Sequence, residues 1–390
     1  MKPIRKRHVF YLSGFDPRGA SFYHRIFTEE AQKQSKLNKI KVNIGARKKH
    51  SHYSQRWQIE AQDKGQSVST QYEFLRWDDI IRQNWVKSFG SIFIDFIYVS
   101  WVYITTGTLK RVAKASRNPA ITGLYPAVYI ATSGLLAILL CYASIAIFSA
   151  FNLTWLGWLM GLILFAAFIY SAKLVGDRIN VFWLLRIYAF TSRWASGEIK
   201  SIDQRIAFFA DKIFTTLHNK QQDEVIIISH SVGTMLAVAI AARVAAKIDN
   251  HQVKQQLNMI SLGECIPLLS LLPKAQAIKD DLAYLSSTEN IYWVDYTSPA
   301  DGACFPLVDP VKISIPEQLL KNSPVLLSTR FYKLYTNAHY QKIKRNFYKM
   351  HFLYLMAHDN LGEYDLFAII MGKQSLKERV NKRCNRSDAL

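Results

Sequence analysis

Residues 225–237 read Val225-Ile226-Ile227-Ile228-Ser229-His230-Ser231-Val232-Gly233-Thr234-Met235-Leu236-Ala237. A β-branched apolar run meets a turn of small residues, and an alanine-rich helical run follows. A strand, a sharp turn with a serine at its tip and a helix make up a nucleophile elbow. Such a turn holds the Ser231 hydroxyl at the edge of a sheet, clear of its neighbours. The helix behind it offers free N–H groups to a developing oxyanion. The usual pattern is G-x-S-x-G, and here Ser229 stands at the first glycine. Strand and helix pass close together there, so a small residue is needed and serine is a tolerable departure. An ordinary strand–turn–helix packed with small residues has the same outline.

Strand and helix patterns alternate outward from this stretch. Upstream, His8 to Leu12 predicts a strand ending in a loop, Ser13-Gly14-Phe15-Asp16-Pro17-Arg18-Gly19. Residues 21–37 predict a helix, 40–44 a strand, 68–75 another strand, and Trp77 to Trp85 a helix with acids in its first turn. Downstream of a long apolar region, 199–217 predict an amphipathic helix with Ile202, Ile206, Phe209, Ile213 and Leu217 on one face. The elbow helix runs to about 247, and strands follow at 258–262 and 291–296. This alternation predicts an α/β fold, a mostly parallel sheet with helices on both faces. The expected organisation is 1–88 and 198–372 as two parts of one domain, 89–197 as a membrane-associated insertion, and 373–390 as a basic, frayed or disordered tail.

Half of the 390 residues are apolar, enough for a sizeable core, and the net charge is +20. The four cysteines, Cys141, Cys265, Cys304 and Cys384, are scattered without C-x-x-C spacing. This argues against a disulfide framework or a cysteine zinc site, and it suits a reducing compartment.

No Asp, Glu, Lys, Arg or His occurs from Asn118 to Ala172. A spanning helix needs about 20 apolar residues. Segments at about 124–151 and 155–174 each suffice and predict a transmembrane hairpin, with Tyr125, Tyr129, Trp155 and Trp158 near its ends. Lys110, Arg111, Lys114 and Arg117 precede it, and Lys173, Arg178, Arg186 and Arg193 follow it. Positive flanks on both sides predict a multi-pass protein of the cytoplasmic membrane with the α/β domain on the cytoplasmic side. The excess charge would hold that domain against anionic membrane lipids. No nucleic-acid motif accompanies the charge, so nucleic acid is not an expected partner. Residues 89–106 are apolar around Asp95 and are expected to lie in the interface, a third span being the alternative. Gly157 and Gly161 form a G-x-x-x-G spacing that could pack helices.

A nucleophilic serine needs a base, and the base needs an orienting acid. With this elbow the partners follow in the order Ser, Asp or Glu, His, on loops after strands. Asp301, in the turn-rich loop after the strand 291–296, is the preferred acid over Asp295 and Asp309. Among His339, His351 and His358, the apolar run His351-Phe-Leu-Tyr-Leu-Met reads as a helix start and makes His351 the preferred base, with His358 the alternative. His230 adjoins the serine and is expected to shape the pocket. The backbone N–H groups of Phe15 and Val232 are the expected oxyanion donors.

Four segments carry a family resemblance: Tyr11-Leu-Ser-Gly-Phe-Asp-Pro-Arg-Gly19, Phe74-Leu-Arg-Trp-Asp-Asp79, Ser229-His-Ser-Val-Gly233 and His351-Phe-Leu-Tyr-Leu355. With the paired membrane helices, they resemble the α/β-hydrolase superfamily, and more closely a group of uncharacterised bacterial membrane-anchored α/β-hydrolase-like proteins. The resemblance covers most of the chain outside the tail. It implies the fold and an esterase-type site, and it adds weight to His351.

The expected activity is therefore that of a membrane-anchored serine hydrolase of esterase, lipase or thioesterase type. Ser231, Asp301 and His351 would act on a small-molecule or lipid-derived acyl ester, with no cofactor or metal implied. The rival reading is a non-catalytic membrane protein that uses the fold as a binding or assembly module. A channel is disfavoured, because two spans without charged residues offer no pathway.

Overall fold

The computed structural model describes residues 3–85 and 88–387. Residues 1–2 of the basic N-terminus, 86–87 near the expected domain boundary and 388–390 of the tail lie outside the described residues. Strands β1 (Lys6–Leu12), β2 (Lys41–Ile44), β3 (Lys48–Ser51), β4 (Ser54–Asp63) and β5 (Gln66–Leu75) precede the apolar region. Strands β6 (Glu224–His230), β7 (Leu257–Leu262), β8 (Ile291–Thr297) and β9 (Val325–Ser328) follow it. The helices before the elbow are α1 (Ala20–Asn38), α2 (Asp78–Gln83), α3 (Phe89–Thr105), α4 (Thr108–Ala115), α5 (Arg117–Ser149), α6 (Thr154–Arg178), α7 (Val181–Ala195) and α8 (Lys200–His218). From the elbow onward come α9 (Gly233–His251), α10 (Ile266–Ser270), α11 (Gln276–Ser287), α12 (Phe331–Leu334), α13 (Asn337–Ile343), α14 (Phe347–Phe352), α15 (Leu366–Met371) and α16 (Leu376–Ser387).

All these strands join one mixed sheet in the order β2-β4-β5-β1-β6-β7-β8-β9, with β3 also on β4. Every neighbouring pair from β5 to β9 is parallel, and the β2, β3 and β4 pairings are antiparallel. β6 is buried along its whole length. A central parallel strand is covered on both faces, which is why its sequence is a continuous apolar run. On one face, Phe10, Leu12, Val225 and Ile227 pack with residues of α7 to α11. On the other, Tyr11, Ile226 and Ile228 pack with residues of α1 and of α12 to α16. The fold is thus a largely parallel sheet between two helical layers, compatible with an α/β-hydrolase-like architecture.

The connections place the site. β1 lies between β5 and β6. The chain leaves β1 toward one side of the sheet and returns to its other side at β6. A crevice opens at the carboxyl ends of strands where the order reverses this way. The loops after β1 and β6 meet there.

Helices α5 and α6 form a hairpin insertion, each long and apolar enough to cross a membrane. Their outward faces expose large apolar side chains such as Leu136, Ile138, Tyr142 and Leu162, a surface that belongs in lipid rather than water. The two glycines of the G-x-x-x-G spacing are used within the hairpin. A Cβ on Gly157 would lie 2.9 Å from Ile145 Cα, and one on Gly161 would lie 2.9 Å from Cys141 Sγ. Helix α3 buries Ile92, Asp95, Val99 and Tyr103, with Asp95 paired to Arg193 of α7. Its other face exposes Phe93, Trp101 and Ile104. The chain then bends by 74° into α4.

Several stretches differ from the sequence expectation. β3, β4 and β9 fall outside the strands the sequence predicts, and the buried residues of β4 are only Ser54, Trp57, Ile59 and Ala61 among polar neighbours. Within the tail, Leu376–Ser387 form the helix α16, with Leu376 and Val380 buried. The reason lies at β1, where Arg7 binds Glu224 at 2.7 Å and also the carbonyls of Ile370, Gly372 and Gln374. Glu224 in turn accepts the Leu376 N–H at 2.7 Å. This buried ion pair clamps the C-terminal segment to the sheet.

Candidate active site

Ser231 follows β6 at φ 55°, a left-handed conformation that a non-glycine residue adopts under local strain. Its N–H donates to the Leu262 carbonyl at 3.0 Å, and its carbonyl accepts the N–H and hydroxyl of Thr234. The turn thereby closes directly into α9. Gly233 is required for this: a Cβ there would collide with the Ser13 carbonyl oxygen and lie 2.9 Å from that of Leu12. Ser229 needs no glycine. It lies within β6, buried, and donates its hydroxyl to Ile260 of β7 at 3.1 Å.

The loop after β1 sits against the serine. A Cβ on Gly14 would fall 2.9 Å from Ser231 Cβ and 3.4 Å from its Oγ. Two indoles pin the loop: Trp77 Nε1 donates to the Ser13 carbonyl and Trp183 Nε1 to the Phe15 carbonyl, both at 3.0 Å. Asp16 binds Arg18 and the Tyr23 hydroxyl, and Arg18 donates to the Tyr348 hydroxyl at 2.6 Å. The N–H groups of Phe15 and Val232 make no hydrogen bond among the described residues.

Asp301 and His351 come together. Asp301 is fully buried in the loop after β8, and its Oδ2 lies 2.8 Å from His351 Nδ1 and 3.1 Å from the Tyr354 hydroxyl. Its Oδ1 accepts the Ala303 N–H at 3.0 Å. Burial alone would push this carboxyl up; the His351 charge and these hydrogen bonds outweigh it and hold the carboxyl below its usual value. Since Nδ1 donates to the carboxylate, Nε2 is the free nitrogen. It is buried and has no partner among the described residues. Ser231 Oγ does not bond it; its near neighbour is Cys265 Sγ at 3.7 Å.

His351 closes the short helix α14 rather than opening one, because Asn346 caps that helix by accepting the Lys349 N–H at 2.9 Å. His358 lies beyond the helix, its ring against Tyr335 and Tyr364, and its ring nitrogens bond no described residue. His339 is exposed and pairs with Asp359. Asp295 faces Ser261 within the sheet, and Asp309 accepts the Val311 and Lys312 N–H groups of a turn. None of these approaches Ser231 through a hydrogen bond. His230 spans the site: its Nε2 lies 2.8 Å from the His351 carbonyl and its ring stands 4.8 Å from the His351 ring. Burial, then the His351 charge, lowers its pKa to about 3, so it is neutral and donates to that carbonyl.

Comparison with protein-family models finds none that matches, and searches of curated proteins and of solved structures return no similar chain. The fold and the site therefore rest on this chain's own geometry. Among the described residues no group of three or more His, Cys, Asp or Glu is arranged to hold a metal ion.

Several residues at the site are not among those the sequence reading names as candidates. Cys265 sits beside the serine, its thiol pushed up by burial and then by Glu264. Tyr354 is one turn beyond His351, a spacing that could have suggested a second ligand for the same acid. Trp183 and Tyr348 meet edge to face at 5.6 Å. They separate a groove of about 450 Å³ that touches Phe15 from one of about 750 Å³ that touches His351. Ser231 lines neither groove and is 4% exposed.

Proposed function

We propose that this protein is a membrane-anchored serine hydrolase of the esterase, lipase or thioesterase type. The observation that carries the reading is the buried Asp301–His351 pair at 2.8 Å, with His351 Nε2 unpartnered and its ring 4.8 Å from that of His230, the residue before Ser231. In this reading Ser231 Oγ attacks an acyl carbonyl and gives its proton to His351 Nε2. Asp301 holds the imidazole in the required tautomer and stabilises the imidazolium. The N–H groups of Phe15 and Val232 receive the oxyanion, and their lack of acceptors supports that role. His351 then protonates the leaving group, and water, activated by the same nitrogen, releases the acyl-enzyme. The lipid-facing hairpin supports a lipid-derived ester as substrate.

A second reading keeps the fold as a non-catalytic binding module. It is favoured by one observation, the absence of a hydrogen bond from Ser231 Oγ to His351. Catalytic hydrogen bonds are often long or misaligned in unliganded sites and tighten with substrate. Hydrolysis of a p-nitrophenyl ester by the full chain in detergent separates the two. The enzyme gives an initial burst of nitrophenol near one equivalent that Ser231→Ala abolishes. No release above the Ser231→Ala background by folded protein would support the binding module.

A further inference from the structure

The groove that touches His351 opens between the domain-side ends of α5 and α6, the loop after β8 and the segment leading into α14. Ile121, Tyr125 and Phe347 give it apolar walls, and Arg178 and Arg345 stand at its rim. No Asp or Glu is among its lining residues. Asp177, the neighbour of Arg178, is held by Lys173 at 2.9 Å. Arg178 and Arg345 are both exposed and form no ion pair among the described residues. Helix α7 begins in the same wall, and the N–H groups of Val181 and Phe182 in its first turn have no acceptor among the described residues. A helix start adds partial positive charge beside the arginines. His351 also lines the groove; it is 2% exposed and its buried Nε2 is unpartnered among the described residues.

The groove thus has two exposed arginines, apolar walls and His351 among its lining residues. Its position matters as well. The spanning helices end in its wall, so its mouth lies at the depth of lipid headgroups. We propose that it takes an acyl ester carrying a phosphate headgroup, drawn from the leaflet on the side of the α/β domain. Arg178 and Arg345 hold the phosphate while the ester lies at His351. This rests on the hydrolase reading above. Ser231 Oγ bonds to the acyl carbon, the bond from that carbon to the headgroup alcohol breaks, and His351 returns the proton to the departing alcohol. Water then yields a fatty acid, the alcohol keeps its phosphate, and no redox partner is involved.

The test is protection of Ser231 from a neutral alkyl fluorophosphonate, using the full chain in vesicles of a zwitterionic phospholipid. A monoacylglycerol phosphate and the monoacylglycerol of the same chain length serve as competitors. The phosphate form should protect at about tenfold lower concentration, the scale of charge-assisted phosphate contacts. Arg178→Ala with Arg345→Ala, shown to be folded by circular dichroism, should erase that difference. Equal protection by the neutral lipid, or a preference that survives the double substitution, overturns the headgroup assignment and leaves the hydrolase reading standing. Stronger protection by a soluble acyl thioester of a phosphorylated carrier than by the lipid overturns the leaflet as source. No labelling of folded wild type overturns the hydrolase reading and this proposal together.

Discussion

Replacing Asp301 by Asn changes one atom's chemistry and little of its shape. Oδ2 of Asp301 accepts from both His351 and Tyr354, while Oδ1 takes the Ala303 N–H. The amide oxygen can keep the Ala303 bond, which turns the NH2 group toward His351 Nδ1. That nitrogen must then accept, so the proton moves to Nε2 and the ring can no longer take the Ser231 proton. A wrong tautomer of this kind lowers turnover about 10⁴-fold, or roughly 5.5 kcal/mol of barrier. Two hydrogen bonds to a charged group are also weakened, but the cost of burying that charge disappears. A net stability loss of about 1–3 kcal/mol is expected. Asp301 has its carboxyl lowered in the fold. Its stabilisation is therefore complete above the unfolded value of about 3.9 and is lost as pH falls through the folded one. The assay is the rate of Ser231 labelling by a fluorophosphonate at pH 8, with thermal unfolding in the same detergent. A folded Asp301→Asn protein labelled within tenfold of the wild-type rate would refute the assignment of Asp301 to His351.

Other expectations are more local. Ser229→Gly restores the usual elbow but removes the bond to Ile260 and adds chain entropy, so it should lower stability by about 1–2 kcal/mol and leave the labelling rate unchanged; thermal unfolding and labelling together check this. Gly14→Ala puts a methyl 2.9 Å from Ser231 Cβ and should slow labelling about 10²-fold with the fold retained, measured by circular dichroism and labelling rate. Asp295 is buried with its carboxyl raised, by burial first and Asp309 after it. Such a group stabilises below the unfolded carboxylate value of about 3.9, and that contribution fades as pH rises through the folded value. The melting temperature of Asp295→Asn relative to wild type should therefore climb from pH 5 to pH 9, and a constant difference would contradict it.

Much of this was legible in the sequence, for physical reasons. The β-branched run Val225 to Ile228 reads as a strand, which the structure covers on both faces, and the charge-free run from Asn118 to Ala172 reads as long apolar helices. The turn-rich loop after the strand 291–296 pointed to Asp301 and the apolar run beginning at His351 to that histidine, and these two side chains lie in contact. What stayed hidden depends on packing between distant segments. His351 ends a helix because of the Asn346 cap, which local apolar spacing obscured. The docking of α16 depends on Arg7, more than 360 residues away in the chain. Trp183 lies in the insertion, and only the folded chain brings its indole to the Phe15 carbonyl.

The most direct measurement is peptide mapping by mass spectrometry after the full-length protein in detergent meets a fluorophosphonate. The account predicts one adduct, on Ser231, that forms on wild type and is absent from His351→Ala at equal exposure. An adduct on another residue, or none on folded wild type, would contradict it.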